Sequence, residues 1–292
     1  MSENEQQVSV AAKSRGEAES FIDQRQAGLQ LMKTLKLPRM QEFKYEDLPL
    51  VADQPQLTFN KSKAQNVDKG ANLVQCGTTT IKLDVPQQLK DAGVIFEDIF
   101  DAEAAHPELV TQNLMTRGVE PDENLLTAYH RAYMNAGAFL YIPKGVKVDD
   151  PLVIQTIADD TQANPLVSHL LIVAAPDSSV KVVQHLTSQG SVQNSANLMV
   201  EIIANRGSQV RFSGLDELGP ELTTYFSRRA TIDESAKVEW AMAMMNEGHT
   251  VGDVDSELLG EGGKADSKLI AITDNDQRCG INNRVTNRGK HT

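Results

Sequence analysis

The sequence predicts a mostly β fold in which a solenoid of stacked strand units follows a helical N-terminal module. From residue 138 onward, short runs rich in Val, Ile and Leu alternate with turns rich in Pro, Gly, Asp and Asn. No amphipathic helical stretch separates these runs, which excludes βαβ architecture because that architecture needs a helix after each strand. Runs of similar pattern also recur at nearly constant spacing. We therefore divide the chain into residues 1–137, helical with a disordered tip, and residues 138–292, the β-solenoid core.

The first elements belong to the helical module. Residues 1–15 are polar and are expected to be disordered. Apolar residues spaced by three or four then predict a helix that Pro38 ends. The residues that share its face are Phe21, Ile22, Arg25, Leu29, Met32 and Leu35. Residues 39–49 are too mixed to assign, and residues 50–80 read as loop with short strands at the apolar islands 57–59 and 73–74.

Three further stripes predict short helices before residue 138. The first contains Phe96, Ile99 and Phe100, and the second follows Pro107, which suits a first helical turn. The third is opened by Pro121 and Asp122 and closed by Gly137. Its apolar members are Leu125, Leu126, Tyr129, Tyr133 and Ala136.

Five units of the β-rich half align with one another. Their equivalent positions are spaced by 34, 30, 28 and 27 residues, at Val146, Val180, Val210, Val238 and Ala265. Such spacing indicates a solenoid or propeller, and chance alignment in an ordinary strand-and-turn protein is the alternative. A solenoid needs a special end unit, yet the chain stops at TNRGKHT. We therefore expect residues 1–292 to be part of a longer chain, cut inside the repeat body.

Charge and cysteine content narrow the function. The net charge of -12 and the pI near 5.0 argue against nucleic-acid binding, which depends on clustered Lys and Arg. The longest apolar runs, 170–175 and 240–245, are too short to cross a membrane, and the N-terminus lacks the apolar region of a signal peptide. Cys76 and Cys279 are the two cysteines, so a disulfide framework and a four-thiolate cluster site are both excluded. We expect a cytoplasmic protein with two free thiols and with no nucleic-acid or membrane partner.

Sequence motifs assign no catalytic, cofactor-binding or metal-ligating residue. The Gly-rich LLGEGGKADS has Leu258 and Ala265 where a phosphate-binding loop needs Gly and Ser or Thr, so it reads as a connecting turn. Two acidic runs lack the full calcium loop and read as solvated turns. They comprise Asp253, Asp255 and Glu257, and Asp274 with Asp276.

Two groups of basic residues leave alternatives open. The six histidines lack the sequence spacing of a zinc site. Only the stacking of successive coils would make His169, His185 or His249 neighbours. Four arginines make either a cationic face for a partner or, by default, strand-edge charge that prevents aggregation. They are Arg206, Arg211, Arg228 and Arg229.

Three segments resemble one known family. GAFLYIPKGVKVDDPLVIQ (137–155) resembles the start of the β-helix in the SufB/SufD family of iron–sulfur cluster assembly scaffolds. HPELVTQNLM (106–115) and PDENLLTAYHRAYMNAGAF (121–139) look like the helices before that start. EFKYEDLP (42–49) is similar to a short Trp-Lys-Tyr type motif of the SufD branch, with Phe43 in place of the usual aromatic.

The resemblance implies a right-handed parallel β-helix between helical terminal regions. It also implies a non-catalytic scaffold that pairs with a SufB paralogue through the β-helix and carries the SufC ATPase on a C-terminal helical region beyond Thr292. The family's interface Cys and His would also lie beyond Thr292, so Cys279 is not equated with that Cys and no ligand is transferred. We expect no stably bound cofactor, and a transient iron–sulfur cluster only at the level of the complex.

Two alternatives from other functional classes are kept. A carbohydrate-active β-helix enzyme would need paired carboxylates about 5–9 Å apart on one face of the coil. A self-associating structural solenoid would pair with copies of itself, and a homodimer through the exposed coil edge is one such arrangement.

Overall fold

The alternating β-rich runs fold into a parallel β-solenoid of about five turns, preceded by a helical segment, which confirms the predicted fold class. The structure is a computed structural model, and it describes residues 2–292. The helices are α1 Glu3–Arg15, α2 Glu19–Leu31, α3 Gln87–Asp91, α4 Ile99–Ala105, α5 Pro107–Thr111 and α6 Leu125–Tyr133. The short strands are β1 Leu73–Cys76, β2 Thr79–Leu83, β3 Ile95–Asp98 and β4 Ala136–Ile142. The longer strands are β5 Leu152–Asp160, β6 Leu166–Ala174, β7 Ser179–Gly190, β8 Asn194–Ala204, β9 Gln209–Glu217, β10 Leu222–Ile232, β11 Lys237–Met244, β12 His249–Leu258, β13 Lys264–Ala271 and β14 Cys279–Asn287.

Successive strands alternate between two seven-stranded sheets. Sheet A has the order β13-β11-β9-β7-β5-β1-β2, and sheet B has the order β14-β12-β10-β8-β6-β4-β3. Neighbouring strands from β4 onward are parallel, whereas β2 and β3 close the sheets at one end in antiparallel pairs. Residues 73–83 thus join sheet A although they lie within the proposed N-terminal module.

The strand register confirms most of the predicted repeat. Val180 pairs with Val210, Val210 with Val238, and Val238 with Ala265. In the first unit a bridge joins Lys147 to Ser179, which places Val148 rather than Val146 beside Val180. The alignment of Val146 was wrong by two residues because the segment Val146-Lys147-Val148 has two valines, and the match to Val180-Lys181-Val182 selected the first of them.

The two sheets differ in the burial of their outer faces. On β7, β9 and β11 of sheet A, buried residues alternate with less buried ones, as expected when one face is open to solvent. On β6 and β10 of sheet B every residue is buried. The difference arises because the helical module packs on the outer face of sheet B, forming a second core with Leu171, Met199 and Ile203.

The extreme N-terminus is helical, so the expectation of a disordered tip is wrong. Residues 3–15 form helix α1 instead of a disordered tip. Ser2 and Glu5 make a capping box, Gly16 ends the helix at a φ of 88°, and Val8 and Ala12 are fully buried. Two well-placed apolar contacts and good caps therefore outweigh the polar composition of the segment.

The other helical stripes form helices with different limits. Helix α2 ends at Leu31, well before Pro38, and Phe96 lies on strand β3 rather than on a helix. Helix α6 begins after the cap residue Asn124, and Ala136 belongs to β4. Of the two apolar islands, 73–74 lies in β1 and 57–59 forms no strand.

The segment EFKYEDLP fastens the module to the far end of sheet B. The Asp47 carboxylate accepts two hydrogen bonds from the Arg278 guanidinium, each 2.9 Å long. The Phe43 ring stacks beside Tyr45 and covers Gly280 at the start of β14, where a Cβ atom would collide with the ring. The segment therefore has a structural role in bridging parts of the chain more than 200 residues apart.

Within residues 2–292, none of the helices has the length and apolar character required to traverse a lipid bilayer.

Candidate functional site

The two cysteines lie apart and are unactivated. Cys76 is buried on β1 of sheet A, and Cys279 opens β14 of sheet B. Burial raises the pKa of the Cys76 thiol to about 12, with a smaller contribution from Asp159, and burial also raises the pKa of the Cys279 thiol. Metals and electrophiles react with the thiolate, so both side chains rest in the less reactive, protonated form at neutral pH.

The stacked coils do not bring His169, His185 and His249 together. His185 lies on β7 of sheet A, while His169 and His249 lie on β6 and β12 of sheet B. His169 instead meets His130 of helix α6, whose Nε2 lies 3.1 Å from the His169 Nδ1. The pairing was missed because His130 lies outside the repeat and reaches sheet B only through tertiary packing.

The His130–His169 pair belongs to a fully buried polar network. The Nδ1 of His130 lies 3.0 Å from the Oδ1 of Asn197, and the amide of Asn197 donates to the carbonyl of Leu126. Since the Asn197 side-chain nitrogen donates to Leu126, the atom that faces His130 is the Asn197 oxygen, which accepts. His130 therefore carries its proton on Nδ1 and accepts a hydrogen bond at Nε2. Burial lowers the pKa of His130 well below its usual value, and the neighbouring His169 acts in the same direction. His130 is therefore neutral at physiological pH.

Glu201 on β8 joins this network to the turn that precedes α6. Its carboxylate lies 3.4 Å from the Nε2 of His169. It also accepts backbone hydrogen bonds from Met115, Gly118 and Val119, at 2.8, 2.9 and 3.2 Å. A buried carboxylate with three backbone donors holds the turn rigidly against sheet B.

Glu201 also begins a row of alternating charges across the outer face of sheet B. The strand register places Glu201 beside Arg229, Arg229 beside Asp255, and Asp255 beside Arg284. Adjacent parallel strands are about 4.8 Å apart, so each charge lies next to one of opposite sign. The sequence contained the signal, because the four positions recur at the spacing of the repeat.

Arg229 is the centre of this row. Its Nη2 lies 3.0 Å from a Glu123 carboxylate oxygen and 2.6 Å from an Asp253 oxygen, and its Nη1 lies 3.1 Å from Asp255. The sequence-based prediction of a solvated turn at Asp253, Asp255 and Glu257 is therefore wrong. These residues lie on strand β12, where alternate residues face the helical module.

The four arginines considered as a cationic face are dispersed. Arg206 lies in a turn, Arg211 on the open face of sheet A, and Arg229 on the outer face of sheet B. Arg228 points into the solenoid, where it donates to the carbonyl of Leu198. Burial lowers the pKa of Arg228 to about 10, against the opposing effect of Asp216, so its side chain stays charged at neutral pH.

The remaining sequence-based interpretations concern a connecting turn and metal binding. The Gly-rich segment near residue 260 connects β12 to β13, which confirms the prediction of a connecting turn. Among residues 2–292, no group of three or more His, Cys, Asp or Glu side chains is arranged to hold a metal ion.

Two consecutive family models match the chain. The one described as the SufBD protein N-terminal region matches residues 7–154. The one described as SUF system FeS cluster assembly, SufBD core domain, matches residues 156–292. Together they include the helical module, the buried histidine network and the whole solenoid.

Individual relatives agree with the family models. The chain is 36% identical over 228 residues to the iron–sulfur cluster assembly protein SufD of Bacillus subtilis, an alignment that covers 77% of this chain and 52% of that protein. It is 26% identical over 195 residues to a SufBD family protein of Staphylococcus saprophyticus, covering 66% of this chain and 42% of the relative. A SufBD family protein of Staphylococcus haemolyticus is 23% identical, with coverage of 92% of this chain and 62% of the relative.

The chain thus spans about half the length of these curated relatives. Its match to the two family models is nevertheless continuous from residue 7 to residue 292, apart from residue 155. The chain belongs to the SufBD family of iron–sulfur cluster assembly proteins.

Proposed function

We propose that the chain is a cytoplasmic, non-catalytic scaffold subunit in iron–sulfur cluster assembly, which pairs with a SufB-type paralogue and with the SufC ATPase. The observation that carries the proposal is the family match along both the helical module and the solenoid. The cluster is the cargo of the assembled complex. The proposal leaves a carbohydrate-active enzyme without support, because the relatives named above are cluster assembly proteins.

The geometry of the solenoid supports a scaffold role. The outer face of sheet A is left open over β9 and β11, and its central rows consist of short or medium side chains, including Ser213, Ala241, Leu215 and Ala243. The outer face of sheet B is occupied by the helical module and is held there by Glu201. A rigid body with one covered and one open face suits a subunit that positions partners.

Co-purification tests the proposed partners. We expect the full-length protein that contains residues 1–292 to retain SufB and SufC homologues from the same organism when the three are co-expressed. We propose that SufC binds to the region after residue 292, so residues 1–292 alone should lose SufC.

Two outcomes of this experiment would contradict the proposal. Binding of SufC to residues 1–292 as tight as to the full-length protein would refute the proposed location of the SufC site. Failure of the full-length protein to retain either partner would refute the scaffold role itself. Circular dichroism of residues 1–292 should still give a β-rich spectrum, which controls for loss of folding.

A further inference from the structure

A groove with a volume of about 830 Å³ lies along one edge of the outer face of sheet B. Its floor includes Ser195, Thr223 and His249, which the strand register places side by side on β8, β10 and β12. Residues 47–60 form a wall of the same groove. Volumes of this order are typical of ligand sites.

Hydrogen bonds hold this wall in place at both of its ends. At one end the Thr58 hydroxyl donates to the side-chain oxygen of Asn164, just before β6. At the other end the Asp47 carboxylate accepts two bonds from the Arg278 guanidinium. The wall is therefore a fixed part of the structure, and the groove beside it is preformed.

The wall has the side-chain alternation of a β-strand. Every second side chain lines the groove: Gln54, Gln56, Thr58 and Asn60. Leu57 and Phe59 lie between them and pack in the apolar core of the helical module. Successive side chains point to opposite sides only when the chain is extended, so this part of the wall has the form of a strand.

This extended wall has no partner strand. Within residues 2–292, no backbone–backbone hydrogen bond joins residues 51–59 to any other residue, and these residues belong to neither sheet. An extended segment with unpaired N–H and C=O groups is a template for pairing with another chain. Addition of a peptide strand to such an edge is a common mode of peptide recognition.

The side chains of the groove suit a peptide backbone. Gln54, Gln56 and Gln193 are exposed there, and each side-chain amide offers both a donor and an acceptor, as a peptide group does. The Nδ1 of His249 accepts the backbone N–H of Arg278 at 3.1 Å, so the neutral ring carries its proton on Nε2 and has a second donor there.

The lining of the groove fits other classes of ligand less well. Arg278 is its one arginine and is already paired with Asp47, whereas a polyanion needs several cationic side chains. The lining includes no Phe, Tyr or Trp among residues 2–292, so the rings of a sugar would lack an aromatic face to pack on. The same part of the chain has no group of three side chains arranged to hold a metal ion.

We propose that this groove binds an uncharged, extended peptide segment of another protein, which adds to the wall at residues 54–60 as a partner strand. The groove extends from the start of β6 to the start of β12, which is three strand spacings or about 14 Å. At about 3.3 Å per extended residue, it holds about four residues. The proposal does not depend on the proposed role in cluster assembly, so the two are tested separately.

Selection of random heptapeptides displayed on phage against the full-length protein tests the proposal. We expect enriched peptides that share a run of about four uncharged residues and that bind as synthetic peptides in calorimetric titration. Ala163→Trp places an indole in the groove at an exposed position and should weaken binding at least ten-fold. Replacing both Gln54 and Gln56 with alanine should weaken it about ten-fold, because the peptide loses hydrogen bonds to both amides.

A matched variant separates loss of the groove from the general effect of a new tryptophan. Ala241→Trp changes an exposed alanine on the open face of sheet A, and it should bind the peptides as the wild type does. Failure to enrich any peptide, or equal binding by Ala163→Trp and the wild type, would overturn the proposal. Binding of cellopentaose that Ala163→Trp abolishes would assign the groove to a sugar and would also overturn it.

Discussion

Replacing Glu201 with alanine is expected to lower the free energy of unfolding by about 3–5 kcal/mol, because each buried donor that is left without an acceptor costs about 1–3 kcal/mol. Glu201 is fully buried and accepts hydrogen bonds from three backbone N–H groups of the turn at 115–119. The truncation leaves all three donors without their acceptor. Urea-induced unfolding followed by circular dichroism measures the loss.

A matched variant on the open sheet separates this effect from the general cost of removing a glutamate. Glu217 lies on β9 of sheet A, with its side chain 49% exposed and 2.7 Å from His185. Glu217→Ala should cost less than about 1 kcal/mol because exposed ion pairs contribute little. Equal losses for Glu201→Ala and Glu217→Ala would show that Glu201 does not hold the helical module to the solenoid.

The stability of the protein should also fall as the pH drops below about 6.5, owing to His130. Burial lowers the pKa of His130 well below that value, so the folded state keeps this ring neutral while the unfolded chain takes up a proton. The unfolded state then binds more protons, and stability declines with falling pH by up to about 1.4 kcal/mol per pH unit for this one group. The decline ends once the pH reaches the lowered pKa of the folded state.

The prediction is tested as a difference between the wild type and His130→Gln, because other groups titrate in the same range. His169, Arg131 and Arg25 lie close enough to His130 to influence it. Asp160, whose pKa burial raises to about 6, acts in the opposite sense and stabilises the folded state on acidification. Between pH 6.5 and 5.5 the wild type should lose about 1 kcal/mol more than the variant. Parallel pH profiles would contradict the assignment of His130.

The fold was predictable because the solenoid repeats its local signals. Each strand carries a β-rich run bounded by turn residues, and the Val180, Val210 and Val238 positions pair in the predicted register. The N-terminal helix was not predictable from composition, since its stability depends on a cap at Ser2 and on two small contacts to other helices. The capping pattern of Ser2 and Glu5 was the available signal.

The polar sites were much less predictable. His130 and His169 are 39 residues apart in sequence and meet only because helix α6 packs on sheet B. The charge row was accessible in principle, since Glu201, Arg229 and Asp255 occupy equivalent places in successive coils. Periodicity predicts which residues stack, but it does not say which face of a coil another part of the chain will cover.

The central claim, that this chain works in iron–sulfur cluster assembly, is tested most directly by cluster content in cells. The measurement is the fraction of an iron–sulfur reporter protein that carries its cluster, in a strain that depends on the SUF machinery alone. Depletion of the protein is expected to lower that fraction, and its re-expression is expected to restore it. An unchanged fraction after depletion would contradict the claim.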